Sequence, residues 1–139
     1  MVNDTGRKVC FKINPKKLTW NDAEAHCISE GGHLASIHGK SENDFIRRTA
    51  TAMGMLDNIH IGLSVGGIEN REFYYIWSDR TPVDYNIWAP DFPDSGHFGS
   101  CTRLITEVGG WVGMWENVGC ASTVKASSVC MRQLNTIRT

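Results

Sequence analysis

The 139 residues suffice for one domain with a substantial core and are too few for a second full domain. Lys and Arg number 14 against 15 Asp and Glu, a net charge of −1, so the chain lacks the positive field that binding to nucleic acids or anionic membranes requires. No apolar run approaches the roughly 18–20 residues that span a bilayer, which argues against membrane insertion. The N-terminus lacks a signal-peptide layout, so a secreted form would be a mature or trimmed chain.

The beginning of the chain predicts a strand and then a helix. Alternating residues over 10–13 predict a short strand that a turn at Asn14-Pro15 closes. Thr19 and Asp22 form a capping box, and the helix that they start is expected to end at Gly31-Gly32. Its buried face would carry Trp20, Ala23 and Cys27.

A second helix and a second strand follow. Ser41 with Asp44 three residues later repeats the capping signature, which predicts a helix over residues 41–53. Apolar residues then alternate with His60 and Gly62, which is the period of a strand with one buried face. The apolar residues of this strand are Ile59, Ile61 and Leu63.

Residues 64–120 carry most of the Gly and Pro, half of the Asp and four of the five Trp. Only short stretches such as 73–77 and 102–105 are strand-like, and such a segment is either disordered or functional. Its tryptophans argue against disorder, so we interpret it as an ordered, loop-rich functional region. The segments 111–115 and 128–133 are predicted as closing strands.

Cysteine is the strongest signal in the composition. Five cysteines, at positions 10, 27, 101, 120 and 130, contain no C-x-x-C pair, so zinc-ribbon, iron–sulfur and thioredoxin-like sites lose their usual spacing. Disulfides remain the best explanation and predict a secreted protein in an oxidising compartment. The spacing alone leaves the pairing open, and the odd count leaves one thiol over.

Taken in order, these residues resemble those of a C-type lectin-like domain. The resemblance rests on the succession Cys10-Phe11, Trp20, Ala23, Cys27, Gly32-His33-Leu34-Ala35-Ser36-Ile37, Ile61-Gly62-Leu63, Trp77-Ser78-Asp79, Trp88-Ala89-Pro90, Cys101, Trp115, Cys120 and Val129-Cys130. It implies an α+β fold in which two helices flank small antiparallel sheets and a long loop region projects from one end. We therefore expect a domain over residues 10–133 between tails at 1–9 and 134–139.

The resemblance also implies which cysteines pair. Cys27 would join Cys130, tying the first helix to the last strand, and Cys101 would join Cys120 beneath the long loops. Cys10 resembles the second cysteine of an N-terminal hairpin bridge in longer family members. It is therefore expected to be free, to have lost its partner, or to link two chains into a dimer.

The family's calcium and sugar chemistry is only partly matched. Sugar-binding members use a Glu-Pro-Asn or Gln-Pro-Asp triplet, a Glu before the next cysteine and a Trp-Asn-Asp run, because the same oxygens bind calcium and sugar hydroxyls. The matching segments read Phe92-Pro93-Asp94, Gly99-Ser100 and Trp115-Glu116-Asn117, with Asp91 nearby. Since Phe92 and Gly99 offer no side-chain oxygen, calcium is a candidate cofactor with an incomplete site.

Aromatic residues add a second set of candidates. Four tryptophans match positions that are core in the family: Trp20, Trp77, Trp88 and Trp115. Trp111 is expected to be partly exposed. Phe92 and Phe98 would form an apolar tip of the ligand loop beside His97, or simply pack it. The candidate ligand-binding residues are thus Phe92, Asp94, His97, Phe98, Trp111, Glu116 and Asn117, and the candidate calcium ligands are Asp94, Glu116 and Asn117.

Two functions fit these residues. One is glycan or glycoprotein recognition through the long loops, with an altered calcium-dependent site. The other is a calcium-independent protein-binding domain that contacts a receptor through its aromatic loop surface. No nucleophile or catalytic metal motif is present, so we expect no enzyme.

Overall fold

The computed structural model describes residues 8–94, 100–121 and 125–134, in which two helices and seven strands lie. The helices are α1 (Trp20–Ser29) and α2 (Lys40–Ala52). The strands are β1 (Val9–Leu18), β2 (His33–Leu34), β3 (Ile59–Glu69), β4 (Glu72–Trp77), β5 (Ser100–Leu104), β6 (Trp115–Gly119) and β7 (Ala126–Gln133). Within these ranges neither helix has the length and apolar character to cross a bilayer.

The strands form one sheet in the order β1-β7-β3-β5-β6, with β2 paired to β7 and β4 paired to β3. All pairings are antiparallel except β3 with β7, which is parallel. The first and last strands are neighbours, since Val9 pairs with Gln133. This is the expected α+β architecture with adjacent terminal strands.

Apolar side chains pack on both faces of the sheet. On one face, α2 and the long loops cover the larger cluster, which includes Ile46, Ile61, Trp77, Trp115 and Val129. On the other face, α1 covers a smaller cluster of buried residues: Trp20, Ala23, Cys27, Leu34, Cys101 and Cys130. The sheet is therefore the centre of the molecule, and its two covers come from different parts of the chain.

The predicted features of α1 are confirmed. The hydroxyl oxygen of Thr19 accepts a hydrogen bond from the Asp22 backbone N–H at 3.2 Å, and the predicted apolar face is buried. The helix ends at Ser29, and Gly31 follows with φ +88° while its N–H donates to the Ile28 carbonyl. A left-handed residue at this point is a common helix stop that glycine adopts without strain.

One disulfide ties α1 to β7, and the other joins β5 to the residue that follows β6. Cys27 joins Cys130 across 103 residues, and Cys101 joins Cys120 across 19. This is the pairing that the family resemblance implies. Cys10 is an exposed free thiol, and the pairing of the other four cysteines is intramolecular.

The predicted end of the first strand is wrong. β1 continues through Asn14 and Pro15 to Leu18, and the pairing with β7 is irregular between Asn14 and Leu18. β1 lies at the edge of the sheet, so it forms a hydrogen-bond ladder on one side only. Pro15 has no N–H to donate, and it lies where that ladder is irregular, so it disrupts no second ladder.

The predicted cap of α2 is also wrong, although the helix itself is confirmed. α2 begins at Lys40 after Gly39, which makes no side-chain cap. The carboxylate of Glu42 instead accepts a hydrogen bond from the His38 backbone N–H at 2.8 Å. A buried Glu in the first turn thus serves the helix start in place of Ser41.

Two strand predictions need correction. Residues 59–63 are buried on both faces, not one, because α1 and the end of β1 cover the second face. The predicted closing strand at 111–115 is a turn that leads into β6, with Gly113 at φ +89°. The bonds from Gly113 N–H to Ile105 O and from Ile105 N–H to Met114 O close this turn.

Candidate functional site

The turn at Pro93–Asp94 is held by one buried amide. Asn117, on β6, is 2% exposed. Its Oδ1 accepts from the Asp94 backbone N–H at 2.7 Å, and its Nδ2 donates to the Asp94 carbonyl at 2.7 Å and to Ser100 Oγ at 3.1 Å. The side chain of Asn117 is therefore engaged in fixing the backbone of the turn.

Glu116, the next predicted site residue, points away from this turn. Successive side chains of a strand alternate between faces, so Glu116 and Asn117 lie on opposite sides of β6. Glu116 Oε2 accepts from Arg103 Nη2 at 2.5 Å and from Asn58 Nδ2 at 2.9 Å. The positive charge of Arg103 balances this carboxylate.

Among the described residues, these positions do not converge as calcium ligands. The described residues bring Asp94 and Asn117 together through the backbone of Asp94, while Glu116 faces an arginine elsewhere. Across residues 8–94, 100–121 and 125–134, no group of three or more His, Cys, Asp or Glu side chains could hold a metal ion. Calcium needs six to eight oxygens, so this donor set does not fit the ion.

The other predicted site residues are Phe92, Trp111, His97 and Phe98. Phe92 is half-buried, and its N–H donates to the Ala89 carbonyl at 3.0 Å. Trp111 is 57% exposed, as expected. His97 and Phe98 lie outside the described residues.

A cleft of about 300 Å³ opens beside the Pro93–Asp94 turn. It lies between that turn and the β3–β4 hairpin, and its lining residues are Arg71, Glu72, Phe73, Tyr75, Pro93 and Asp94. Arg71 stands at the hairpin tip with φ +67°, next to Asn70 at φ +52°. We call this the hairpin cleft; it joins aromatic rings, one guanidinium and two carboxylates.

The aromatic floor of the hairpin cleft is tied to the core. Tyr75 packs on Trp88 with ring centroids 5.2 Å apart, and Trp88 meets Trp115 edge to face at 5.8 Å. Burial raises the pKa of the Tyr75 hydroxyl, which also hydrogen-bonds Ser100. Trp20, Trp77 and Trp115 are buried as expected, while Trp88 is half-buried in this stack.

Asp94 is a predicted site residue, whereas four other residues that line this cleft are not: Arg71, Glu72, Phe73 and Tyr75. The available signal was Asn70 between two strand-like runs, since asparagine accepts the left-handed conformation of a tight hairpin turn. That turn places Arg71 and Glu72 across from the loop before Cys101.

A second surface surrounds Trp111. Three exposed apolar side chains lie in the loop over residues 105–114: Val108 at 78%, Trp111 at 57% and Val112 at 43% exposure. Asn43 of α2 anchors this apolar loop, because its Nδ2 donates to the Gly113 carbonyl at 2.7 Å and its Oδ1 accepts from Trp115 Nε1 at 2.9 Å.

Two helices on one sheet, two disulfides and a long loop region define a stapled α+β domain of the C-type lectin fold. The family model described as "Lectin C-type domain" matches residues 16–132. The chain therefore belongs to the C-type lectin domain family.

Known proteins with different ligands resemble this chain. A type-2 ice-structuring protein of Brachyopsis segaliensis is 30% identical over 123 residues, covering 88% of this chain, which spans about two thirds (66%) of that relative. The crystal structure of a calcium-independent type II antifreeze protein shares 30% identity at a TM-score of 0.74, covering 91% of this chain and 87% of the other. The cow C-type carbohydrate-recognition domain of CD23, solved with an oligosaccharide, shares 28% identity at a TM-score of 0.76, covering 93% and 91%.

Proposed function

We propose that this domain is a secreted glycan-binding module that takes its ligand in the hairpin cleft, with a geometry that does not depend on calcium. The observation that carries the proposal is the joining of Phe73 and Tyr75 with Arg71 and Asp94 in one cleft, beside the turn that matches the family's sugar motif. The two disulfides favour the secreted state, since such bonds persist in oxidising compartments.

The lining suits the surface of a sugar. A pyranose ring presents an apolar face, which an aromatic ring can cover, and a rim of hydroxyls that both donate and accept hydrogen bonds. Arg71 can only donate, whereas the ionised carboxylates of Glu72 and Asp94 can only accept. Both kinds of partner are thus available on one small cleft, and charge-assisted hydrogen bonds are the stronger ones.

The altered geometry follows from how the family positions are used. The side chain of Asn117 hydrogen-bonds the backbone of Asp94, and Glu116 is paired with Arg103. Neither side chain therefore offers free oxygens to an ion and a sugar together. The similarity to a calcium-independent antifreeze protein supports a member that works without the ion, while the similarity to a carbohydrate-recognition domain supports a sugar ligand.

A glycan array read with calcium and again with chelator tests this function. We expect binding that survives chelation. Arg71→Gly should weaken it about 10- to 100-fold, the value of one or two charge-assisted hydrogen bonds, while glycine keeps the left-handed backbone. Silence on the array in both conditions would reject the glycan function, and binding lost on chelation would reject the calcium-free geometry.

Arg80→Gly is the matched control. Arg80 has the same φ of +67° as Arg71, and it lines a different groove together with Trp20 and Asp79. This variant removes the same charge from the same backbone conformation, so it should bind glycans like the parent. An equal loss in both variants would place the ligand outside the hairpin cleft.

A second candidate function, recognition of a protein, rests on the apolar loop. Exposed tryptophan is a frequent energetic centre of protein interfaces, and Trp111 lies between two exposed valines. Binding to extracellular proteins stripped of glycans would support this function if Trp111→Ala reduced it tenfold or more. Ile28→Ala is the control, because Ile28 is 54% exposed on α1, away from this loop.

A further inference from the structure

One face of the sheet carries a row of polar side chains, one from each of five neighbouring strands. In spatial order these residues, called the polar row, are Asn14, Ser128, His60, Arg103 and Glu116. Each is the Cα partner of the next in the strand register. Directly paired residues point to the same face of a sheet, so the five side chains form a continuous line across it.

The polar atoms of the row are only partly hydrogen-bonded. At one end Arg103 and Glu116 form an ion pair, and Glu116 also accepts from Asn58. Four buried atoms of the row, one of them on Arg103 itself, have no hydrogen-bond partner among the described residues: Asn14 Nδ2, Ser128 Oγ, His60 Nδ1 and Arg103 Nε. The side chains of His60 and Ser128 are completely buried. Buried polar atoms in folded proteins nearly always bond to protein or to ordered water.

The tautomer of His60 follows from its one visible bond. Nε2 lies 2.8 Å from the carbonyl oxygen of Leu18, and a carbonyl only accepts, so Nε2 carries the proton. Burial lowers the pKa of His60 to about 4, and the nearby Arg103 charge adds to this, so the ring is neutral near pH 7. Nδ1 is then an acceptor without a proton, and its residue is the register partner of Ser128.

We propose that the polar row is an internal water-binding site, in which at least one ordered water joins Ser128 Oγ to His60 Nδ1. Ser128 and His60 are partners on parallel neighbouring strands, which lie about 4.7–4.9 Å apart, and one water with two hydrogen bonds of about 2.8 Å reaches across such a spacing. The unpartnered atoms include donors and an acceptor, which water can serve together.

Charge argues for water rather than an ion. Glu116 balances Arg103, and His60 is neutral, so the row attracts neither an anion nor a cation strongly. A metal ion would also meet Arg103 Nε and Asn14 Nδ2, which only donate hydrogen bonds. A neutral molecule that both donates and accepts fits this lining.

The bridged row would connect distant parts of the domain. Beyond Glu116 it reaches Asn58, whose Oδ1 accepts from the backbone N–H groups of Thr106 at 2.9 Å and Glu107 at 3.0 Å. These residues begin the apolar loop. A water between Ser128 and His60 therefore lies on a row of polar side chains that runs from the edge strand β1 towards the base of the loop that carries Trp111.

A crystal structure at about 1.2 Å or better tests the site directly. We expect a well-ordered density peak within hydrogen-bond distance of both Ser128 Oγ and His60 Nδ1. A dry gap, or a direct bond between the two side chains, overturns the proposal.

A pair of variants tests the energetics. Ser128→Ala removes one partner of the water and should lower Tm by roughly 5 °C. Thr102→Val is the control, because Thr102 Oγ1 is equally buried and unpartnered but belongs to the opposite face of β5, and it should leave Tm nearly unchanged. A Ser128→Ala variant as stable as the parent would instead indicate that the hydroxyl has no partner, since removal of an unpartnered buried hydroxyl costs nothing, and would contradict the water site. Should Ser128→Ala fail to fold, the density in the parent protein decides.

Discussion

The hairpin cleft lies between the β3–β4 hairpin and the Pro93–Asp94 turn, whereas the apolar loop joins β5 to β6, and the two surfaces offer different chemistry. The cleft joins rings with charges, whereas the loop exposes Val108, Trp111 and Val112. Each is held by one buried asparagine: Asn117 fixes the turn of the cleft, and Asn43 fixes the loop. Two contact surfaces with separate anchors on one sheet can change independently, which is how one fold comes to serve unrelated ligands.

Removal of a disulfide should have the largest effect, which is a loss of stability of the domain that carries both surfaces. Replacing Cys27 and Cys130 by Ala should lower the free energy of unfolding by about 4.7 kcal/mol, and replacing Cys101 and Cys120 by about 3 kcal/mol, since the longer loop loses more entropy. Denaturant unfolding measures both values. The reverse order would show that the short bridge stabilises by more than loop closure.

Acid should weaken the sheet beneath both surfaces. His60 has a folded pKa of about 4 against 6.5 unfolded, so its contribution is complete above pH 6.5 and is lost as the pH falls towards 4. The loss should reach about 3 kcal/mol, because one pKa unit corresponds to about 1.36 kcal/mol.

The control for the acid effect is a His60→Gln variant followed by unfolding at several pH values. Glutamine keeps a donor for the Leu18 carbonyl and does not titrate. The slope of stability between pH 4 and 6.5 should flatten in this variant, and a slope equal to that of the parent would assign the acid effect to other groups.

The two asparagines should separate the surfaces. Asn117→Ala and Asn43→Ala should each cost about 1–3 kcal/mol, because each leaves buried backbone or indole groups without partners. Asn117→Ala should abolish glycan binding, and it should leave unchanged the access of a dissolved fluorescence quencher to Trp111. Asn43→Ala should change the quenching of Trp111 fluorescence and leave glycan binding intact. A variant that altered both readouts would show that the two surfaces are coupled.

Trp111→Ala should have the smallest effect on stability. Its side chain is mostly exposed, so the free energy of unfolding should change by no more than about 0.5 kcal/mol. Glycan binding should also persist. A large loss of stability would show that the apolar loop needs Trp111 for its own packing.

Local rules predicted the framework well because its signals lie within a few residues of each other. The Thr19 cap and the apolar face of α1 need only helical periodicity, and both are present. The disulfide pairing needed the family resemblance, since spacing alone leaves many pairings open.

Features set by distant neighbours escaped prediction. His60 alternates with apolar residues and so predicts an exposed position, but Leu18 and α1 cover it. Arg71 lines the cleft only because a hairpin turn brings it opposite Pro93, more than twenty residues along the chain. Likewise, the ion pair of Glu116 with Arg103 depends on their cross-strand pairing, which the neighbours of either residue in the sequence do not indicate.

The pairing of β1 with β7 has a practical side. Val9 and Gln133 face each other across one ladder, and neither lines the hairpin cleft. A chain that enters at Val9 and leaves at Gln133 therefore returns to within one strand spacing of its starting point. The domain is geometrically suited to insertion into a surface loop of a carrier protein, where it could be displayed with its cleft and its exposed tryptophan open to a ligand.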